Sequence, residues 1–180
     1  MKFLDSNIQD YIGDDFEVYK DSEGISYIKF DNENWIRNED EYAKVFLGKC
    51  SDCSPFFKDS FTDFVYNKVL VAGLGFGLIP NELHKVNECS NIDVVEISQE
   101  LIDYNNSSRH LNSDINLVQG DIFEYITDEK YDLIIIDTIW DEDEMSEEQV
   151  NILTTKFLNT NLNNNGVLYI PMKNKWIINK

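Results

Sequence analysis

The chain reads as an α/β protein, a doubly wound parallel sheet with a small N-terminal β-hairpin module. Three observations predict this. From Lys68 onward, short branched-apolar runs alternate with helical periodicities, the pattern of βα units joined by right-handed crossovers. The first run, Lys68-Val69-Leu70-Val71-Ala72, passes into Gly73-Leu74-Gly75-Phe76-Gly77, where alternate glycines let a buried strand turn tightly into a helix. Tyr131-Asp132-Leu133-Ile134-Ile135-Ile136-Asp137 is so continuously apolar that both its faces have to be covered.

Met1 to Asp15 is weakly patterned and is expected to form a short helix or an arm. Phe16 to Lys20 and Ile25 to Phe30 alternate apolar and polar residues around the turn residues Asp21-Ser22-Glu23-Gly24, which predicts a hairpin. Trp35-Ile36-Arg37 is a candidate third strand, and Glu39 to Leu47 a candidate helix with Tyr42, Val45 and Phe46 inward. Residues 1–66 are therefore read as the hairpin module and its linker, and 67–180 as the principal domain.

Within that domain a helix from Ile79 to Glu88 follows the glycines, with Pro80 in its first turn, where a missing N–H costs nothing. Ile92-Asp93-Val94-Val95-Glu96-Ile97 is the second strand, and Ser98 caps the helix after it, with Leu101, Ile102 and Tyr104 inward. Ile115 to Gln119 is the third strand, followed by a short helix over Ile122 to Ile126. Tyr131 to Asp137 is the fourth strand. Ser146-x-x-Gln149 is a capping box opening a helix with Val150, Leu153, Phe157 and Leu158 inward. Asn163 to Gly166 is expected to end that helix, and Val167 to Pro171 to form the fifth strand. A ligand is expected at the carboxyl ends, between the first and fourth strands.

Composition narrows the function. The 180 residues suit one domain with a small appendage, and 34 acids against 15 Lys and Arg leave a net charge of −19. A phosphate backbone is repelled by such a field, so nucleic acid is not expected as a partner. The absence of an apolar leader or of a run near the ~20 residues that span a bilayer predicts a cytoplasmic protein without membrane contact. Cys50, Cys53 and Cys89 are read as reduced thiols. Cys50-Ser51-Asp52-Cys53 has half the spacing of a zinc site without the second pair, so no metal is expected.

The chemistry begins at the glycine turn. Glu96 stands roughly 20 residues beyond the glycines, where the dinucleotide fingerprint places an acid to accept both ribose hydroxyls. Turn and carboxylate together point to an adenosine-type ligand. Asp137 closes an apolar strand and is the candidate catalytic group, able to orient an amine or take its proton, or else to bind a ligand ammonium. Asp141-Glu142-Asp143-Glu144 is either a funnel for a cationic acceptor or a solvated helix entry.

Four strand-end features in order, Gly73-x-Gly75-x-Gly77, Glu96, Gly120-Asp121 and Tyr131 to Asp137, resemble the class I S-adenosylmethionine-dependent methyltransferase superfamily, with its Rossmann-like core, over about Lys68 to Met172. The resemblance implies S-adenosylmethionine, or its decarboxylated form, as cofactor. It also implies that Gly73, Leu74, Gly75 and Gly77 face the methionine part, Glu96 the ribose and Asp121 the adenine amino group. Ile97 and Ile122 would lie against the ring, with Asp137 and Thr138 beside the reacting group.

Within the superfamily the chain most resembles the spermidine synthase-like branch. Val71 stands where other branches carry an acid, Asp137 is followed by a hydroxyl residue, and Phe30-Asp31 and Asp40-Glu41 match that branch's Leu-Asp-Gly turn and Asp-Glu pair. There are departures. Trp35 replaces a polyamine-contacting Gln, Lys44 and Val45 replace a Tyr and a polar neighbour, and Asp137-Thr138-Ile139-Trp140-Asp141 replaces Asp-Ser-x-Asp-Pro. A methyltransferase acting on a small-molecule acceptor is therefore the first expectation, with polyamine aminopropyl transfer and a non-catalytic nucleoside-binding module as alternatives. Full domains of the superfamily carry two further strands beside the fifth. Here Lys173 to Lys180 follow it, so Trp176-Ile177-Ile178, the N-terminal hairpin or a second subunit is expected to cover that edge.

Overall fold

The computed structural model describes residues 8–20, 22, 26–30, 35–38, 66–87, 91–108, 111–138, 145–170 and 175–179. The expected helix over Glu39 to Leu47, the three cysteines and the acidic run Asp141 to Glu144 lie outside them.

β1 (Tyr11–Ile12), β2 (Phe16–Lys20), β3 (Ser26–Phe30) and β4 (Trp35–Asn38) form a four-stranded antiparallel sheet in that order. The hairpin is as expected, with Phe16 opposite Phe30 and Lys20 opposite Ser26, and Trp35 to Asn38 adds the third strand. Tyr11 and Ile12 are a correction: they pair with Val18 and Glu17 rather than forming an arm or helix. Two residues are too few to show a strand period, and the pairing is secured from a distance.

That anchor is Glu100. Its Oε1 accepts from the Tyr11 hydroxyl at 2.7 Å and from the Asp14 amide at 2.9 Å, and its Oε2 accepts from the Asp15 amide at 2.8 Å. Gly13 makes room for this carboxylate, since a Cβ on it would lie 1.7 Å from Glu100 Oε1 and displace it. Tyr104 adds a bond from its hydroxyl to the Gln9 carbonyl at 2.8 Å, and its ring packs with those of Tyr11 and Phe16.

The second sheet contains β5 (Lys68–Ala72), β6 (Asn91–Glu96), β7 (Ile115–Gln119), β8 (Tyr131–Ile136), β9 (Leu162–Ile170) and β10 (Lys175–Ile178), in the order β10-β9-β8-β5-β6-β7. The first five in the chain run parallel, and β10 pairs antiparallel with β9, so Trp176-Ile177-Ile178 is the segment that covers the fifth core strand. α1 (Leu78–Asn87), α2 (Gln99–Ser108) and α3 (Glu147–Thr160) complete the unit. The helix starts follow the expected chemistry. Ser98 Oγ accepts from the Leu101 amide at 3.2 Å, and Ser146 and Gln149 form the reciprocal capping box.

The period of two along each strand builds the core on both faces. Val69, Val71, Leu133 and Ile135 join one buried cluster with Leu101, Tyr104, Phe16 and Ile28, while Leu70, Ala72, Ile134 and Ile136 join another with Val150, Leu153 and Phe157. No described helix is long and apolar enough to cross a membrane.

Two expectations on local structure are overturned. Ile122 to Ile126 is not a helix. Asp121 turns the chain instead, its carboxylate accepting from the Phe123 amide at 2.9 Å and its carbonyl from Tyr125 at 2.8 Å, and Ile126 is left exposed. Asn163 to Gly166 is not a loop but part of β9, with a bulge between the pairs Tyr131↔Leu162 and Leu133↔Val167 and Asn165 at φ 64°. Asn tolerates that left-handed geometry. The Asn179 side-chain amide caps the carbonyls of Leu162 and Asn163, and Asn163 donates to Asp132 at 2.7 Å.

The Glu100 carboxyl lies below its usual range, chiefly because the Tyr11 hydroxyl bonds to it, with the Asp15 and Asp14 amides adding to the effect. A lowered folded value contributes stability above the unfolded pKa that is lost as pH falls through the folded one. Glu100→Gln places an amide donor against main-chain donors. It is expected to lower Tm by several degrees near pH 7, and the gap from the unsubstituted chain should close below about pH 4 in melting curves taken across that range.

Candidate functional site

At the carboxyl ends of the strands, where β5 and β8 diverge in chain order, the structure has a cleft of about 280 Å³. Its lining includes Gly73, Glu96, Ile97, Asp121, Ile122 and Thr138, with Val95, Gly120, Phe123 and Gln149 as well. Six residues singled out in the sequence thus meet at one crevice. Leu74, Gly75, Gly77 and Asp137 are close in the chain but do not form its wall among the described residues.

The glycine turn beside the cleft has a geometry of its own. Gly73, Gly75 and Gly77 have φ of 94°, 51° and 69°. At Gly73 a Cβ would also stand 2.0 Å from the Asp137 carbonyl oxygen, so only glycine lets β5 leave the sheet this close to the end of β8. The Gly73 amide donates to Val95 O at 2.8 Å, the Gly77 amide to Leu74 O at 2.8 Å, and the Leu74 amide to Glu96 Oε2 at 2.9 Å. Three amides of the turn, those of Gly73, Leu74 and Gly77, are thus engaged inside the protein. The polar side chains of the cleft wall stand beside them.

Glu96 is the central one. It is 5% exposed, and besides Leu74 it accepts from the Ser98 amide through Oε1 at 2.9 Å, tying the glycine turn to the start of α2. Burial pushes its carboxyl above the usual glutamate range, outweighing the amides of Ser98, Leu74 and Ile97, which act the other way. With these amides on about four lone-pair sites, the carboxylate keeps some acceptor capacity.

The remaining walls differ in chemistry. Ile97 is 66% exposed, an apolar side chain at the lip of the crevice, whereas Ile122 is buried. Asp121 uses Oδ1 on the Phe123 amide, leaving Oδ2 as an acceptor. Thr138 has its hydroxyl shut off from solvent with no partner among the described residues. Asp137 ends β8 with its amide on Ala72 O at 2.8 Å and its side chain 5% exposed.

Sequence reasoning missed several supports. Asn105, fully buried on α2, donates to Gly75 O and to Leu101 O, both at 2.9 Å, and so holds the glycine turn from the helix side. Lys156, on α3, donates to Ile122 O at 3.0 Å and Phe123 O at 2.8 Å, fixing the loop after β7, and burial lowers its amine's pKa. A polar residue on an otherwise inward helix face was the available signal for Asn105. Lys156 offered none.

This arrangement is that of the class I methyltransferase fold. Similar solved structures include a coclaurine N-methyltransferase bound to N-methylheliamine and SAH (19% identity, TM-score 0.52, covering 78% of this chain and 38% of that one). The plantazolicin methyltransferase BpumL, in complex with a monoazolic desmethylPZN analog and SAH, matches at 21% identity and TM-score 0.51, over 72% and 44% of the two chains. The glycopeptide N-methyltransferase MtfA complexed with sinefungin matches at 18% and 0.51, over 62% and 49%. The chain thus spans about half or less of these structures, and at such identities the likeness is one of fold. Residues 55–180 match the family model of the spermine/spermidine synthase domain, and the chain belongs to that family. No curated protein matches it significantly.

Gly73→Ala combines a forbidden φ with a clash against backbone. It is expected to cost roughly 2–4 kcal/mol in urea unfolding, more than Gly120→Ala, where the nearest atom to an added Cβ is 3.9 Å away.

Proposed function

We propose that this protein is an S-adenosylmethionine-dependent transferase, with methyl transfer to a small-molecule acceptor as the first reading. The observation that carries it is the cleft itself. A buried carboxylate with lone pairs to spare, a second acceptor at Asp121 and apolar surfaces at Ile97 and Ile122 stand together at the switch point of a chain of this family. The solved neighbours bound to SAH or sinefungin support the same ligand class.

The residues fit the group. Glu96 would accept from the ribose hydroxyls, Asp121 Oδ2 from the adenine amino group, and Ile97 and Ile122 would cover the ring. Gly73 would admit the chain close to the sulfur side, and the orphaned Thr138 hydroxyl would gain a partner. S-adenosylmethionine supplies a carbon on a positively charged sulfur, open to in-line displacement by an acceptor, a reaction in which positioning provides much of the rate. Asp137, buried beside Thr138 just outside the cleft wall, is the candidate group to orient an acceptor amine or take its proton where the acceptor reaches it.

Aminopropyl transfer is the second reading, favoured by family membership and by the net charge of −19, which draws cationic amines. Calorimetry separates the two: tighter binding of S-adenosylmethionine supports methyl transfer, and tighter binding of its decarboxylated form selects aminopropyl transfer. Absence of binding by either, and by methylthioadenosine, overturns both and leaves a nucleoside-independent module.

Glu96→Ala is expected to weaken binding at least about tenfold, because two hydroxyls lose a charged acceptor. The pH dependence runs in two directions. A carboxyl with a raised folded pKa contributes stability that is full below the unfolded value and is lost as pH rises through the folded one. The ribose needs the ionised form. Taking the pH from about 7 towards about 5 is therefore expected to weaken the ligand, in titrations by calorimetry, while the contribution of Glu96 to the stability of the ligand-free chain increases.

A further inference from the structure

α3, which follows the acidic run Asp141 to Glu144 in the sequence, contributes one polar residue to the cleft, Gln149. Its side chain is already engaged at one end, where Oε1 accepts from the Ser146 amide at 2.8 Å and closes the capping box. An amide donor must face an oxygen, so this bond fixes which end of the carboxamide is which. The Nε2 end is left as a donor in a crevice whose polar lining also includes Asp121, an acceptor.

The two walls are held in register. Two helical turns beyond Gln149, Lys156 reaches the carbonyls of Ile122 and Phe123 and so joins α3 to the loop that carries Asp121. The cap fixes Gln149 at one end of this brace, and the amine fixes the loop at the other. Between them lie the apolar surfaces of Ile97, Ile122 and Val95.

We propose that Gln149 is a base-specificity residue: its Nε2 donates to N1 of adenine, the ring nitrogen on the Watson–Crick side of the 6-amino group, while Asp121 Oδ2 accepts from that amino group. This rests on the nucleoside reading given under Proposed function. An acceptor beside a donor matches the edge of adenine, where an amino group flanks ring-nitrogen acceptors. A 6-oxopurine presents an oxygen to Asp121 instead, and on the Watson–Crick side a ring N–H to Gln149. Both pairings are then wrong, and a buried mismatch is rejected more strongly than a missing methylene.

The test compares S-adenosylhomocysteine with S-inosylhomocysteine by calorimetry in three full-length chains. The unsubstituted protein is expected to prefer the adenosyl ligand by at least about tenfold. Gln149→Glu keeps an oxygen for the Ser146 amide, so the melting curve should be preserved. It replaces the donor by an acceptor, however, and the preference should fall by about tenfold. An added charge acting at a distance lowers both affinities and leaves their ratio alone. Ser146→Ala breaks the same cap without touching the donor, and is expected to lower Tm with the ratio unchanged.

An unaltered ratio in Gln149→Glu overturns the role of Gln149 alone. So does an equal change of the ratio in Ser146→Ala, which would trace the effect to the helix start. An unsubstituted chain that binds both ligands equally overturns the specificity claim, and one that binds neither removes the nucleoside reading and this inference together.

Discussion

A carboxylate taken out of water has to be compensated by donors, and in this chain the compensation is what gives the crevice its form. Glu96 bonds to Leu74 on the glycine turn and to Ser98 at the start of α2. Two segments that leave neighbouring strands are thus joined at the point where they part. Unpaired, a charge at this burial would be expelled or protonated. Paired, it ties the glycine turn to the start of α2 at the cleft.

The same residue illustrates how binding capacity and framework share atoms. Glycine-turn amides are occupied by Val95, Leu74 and Glu96 itself. What reaches the crevice is the absence of a side chain at Gly73 and the unused lone pairs of carboxylates already fixed by the backbone. Such groups lose little freedom when a ligand arrives.

Much of the principal sheet was legible because its determinants are local. Strand runs such as Tyr131 to Ile136 declare burial on both faces, alternate glycines require a left-handed turn, and Ser146-x-x-Gln149 announces its helix. Six of the candidate residues met at one cleft for the same reason, since strand order and strand ends follow from the βα rhythm. The misreadings arose where a distant partner decides. Tyr11 becomes a strand residue with Glu100 holding its hydroxyl, the asparagine run of β9 is kept in the sheet by Asp132 and Asn179, and the loop after β7 is held by Lys156 from α3. No window of neighbouring residues contains those pairings. Gln149 was read correctly as a cap, yet a cap says nothing of what its other end faces.

The attachment of the N-terminal sheet has a mechanical consequence. Glu100 grips the β1–β2 turn two residues beyond Ser98, whose amide is bound to Glu96. Any displacement of that turn which keeps its bonds drags the first turn of α2, and with it the lip at Ile97. The small sheet is consequently a lever whose fulcrum lies at the mouth of the crevice, and a load placed on it is felt by whatever the mouth encloses.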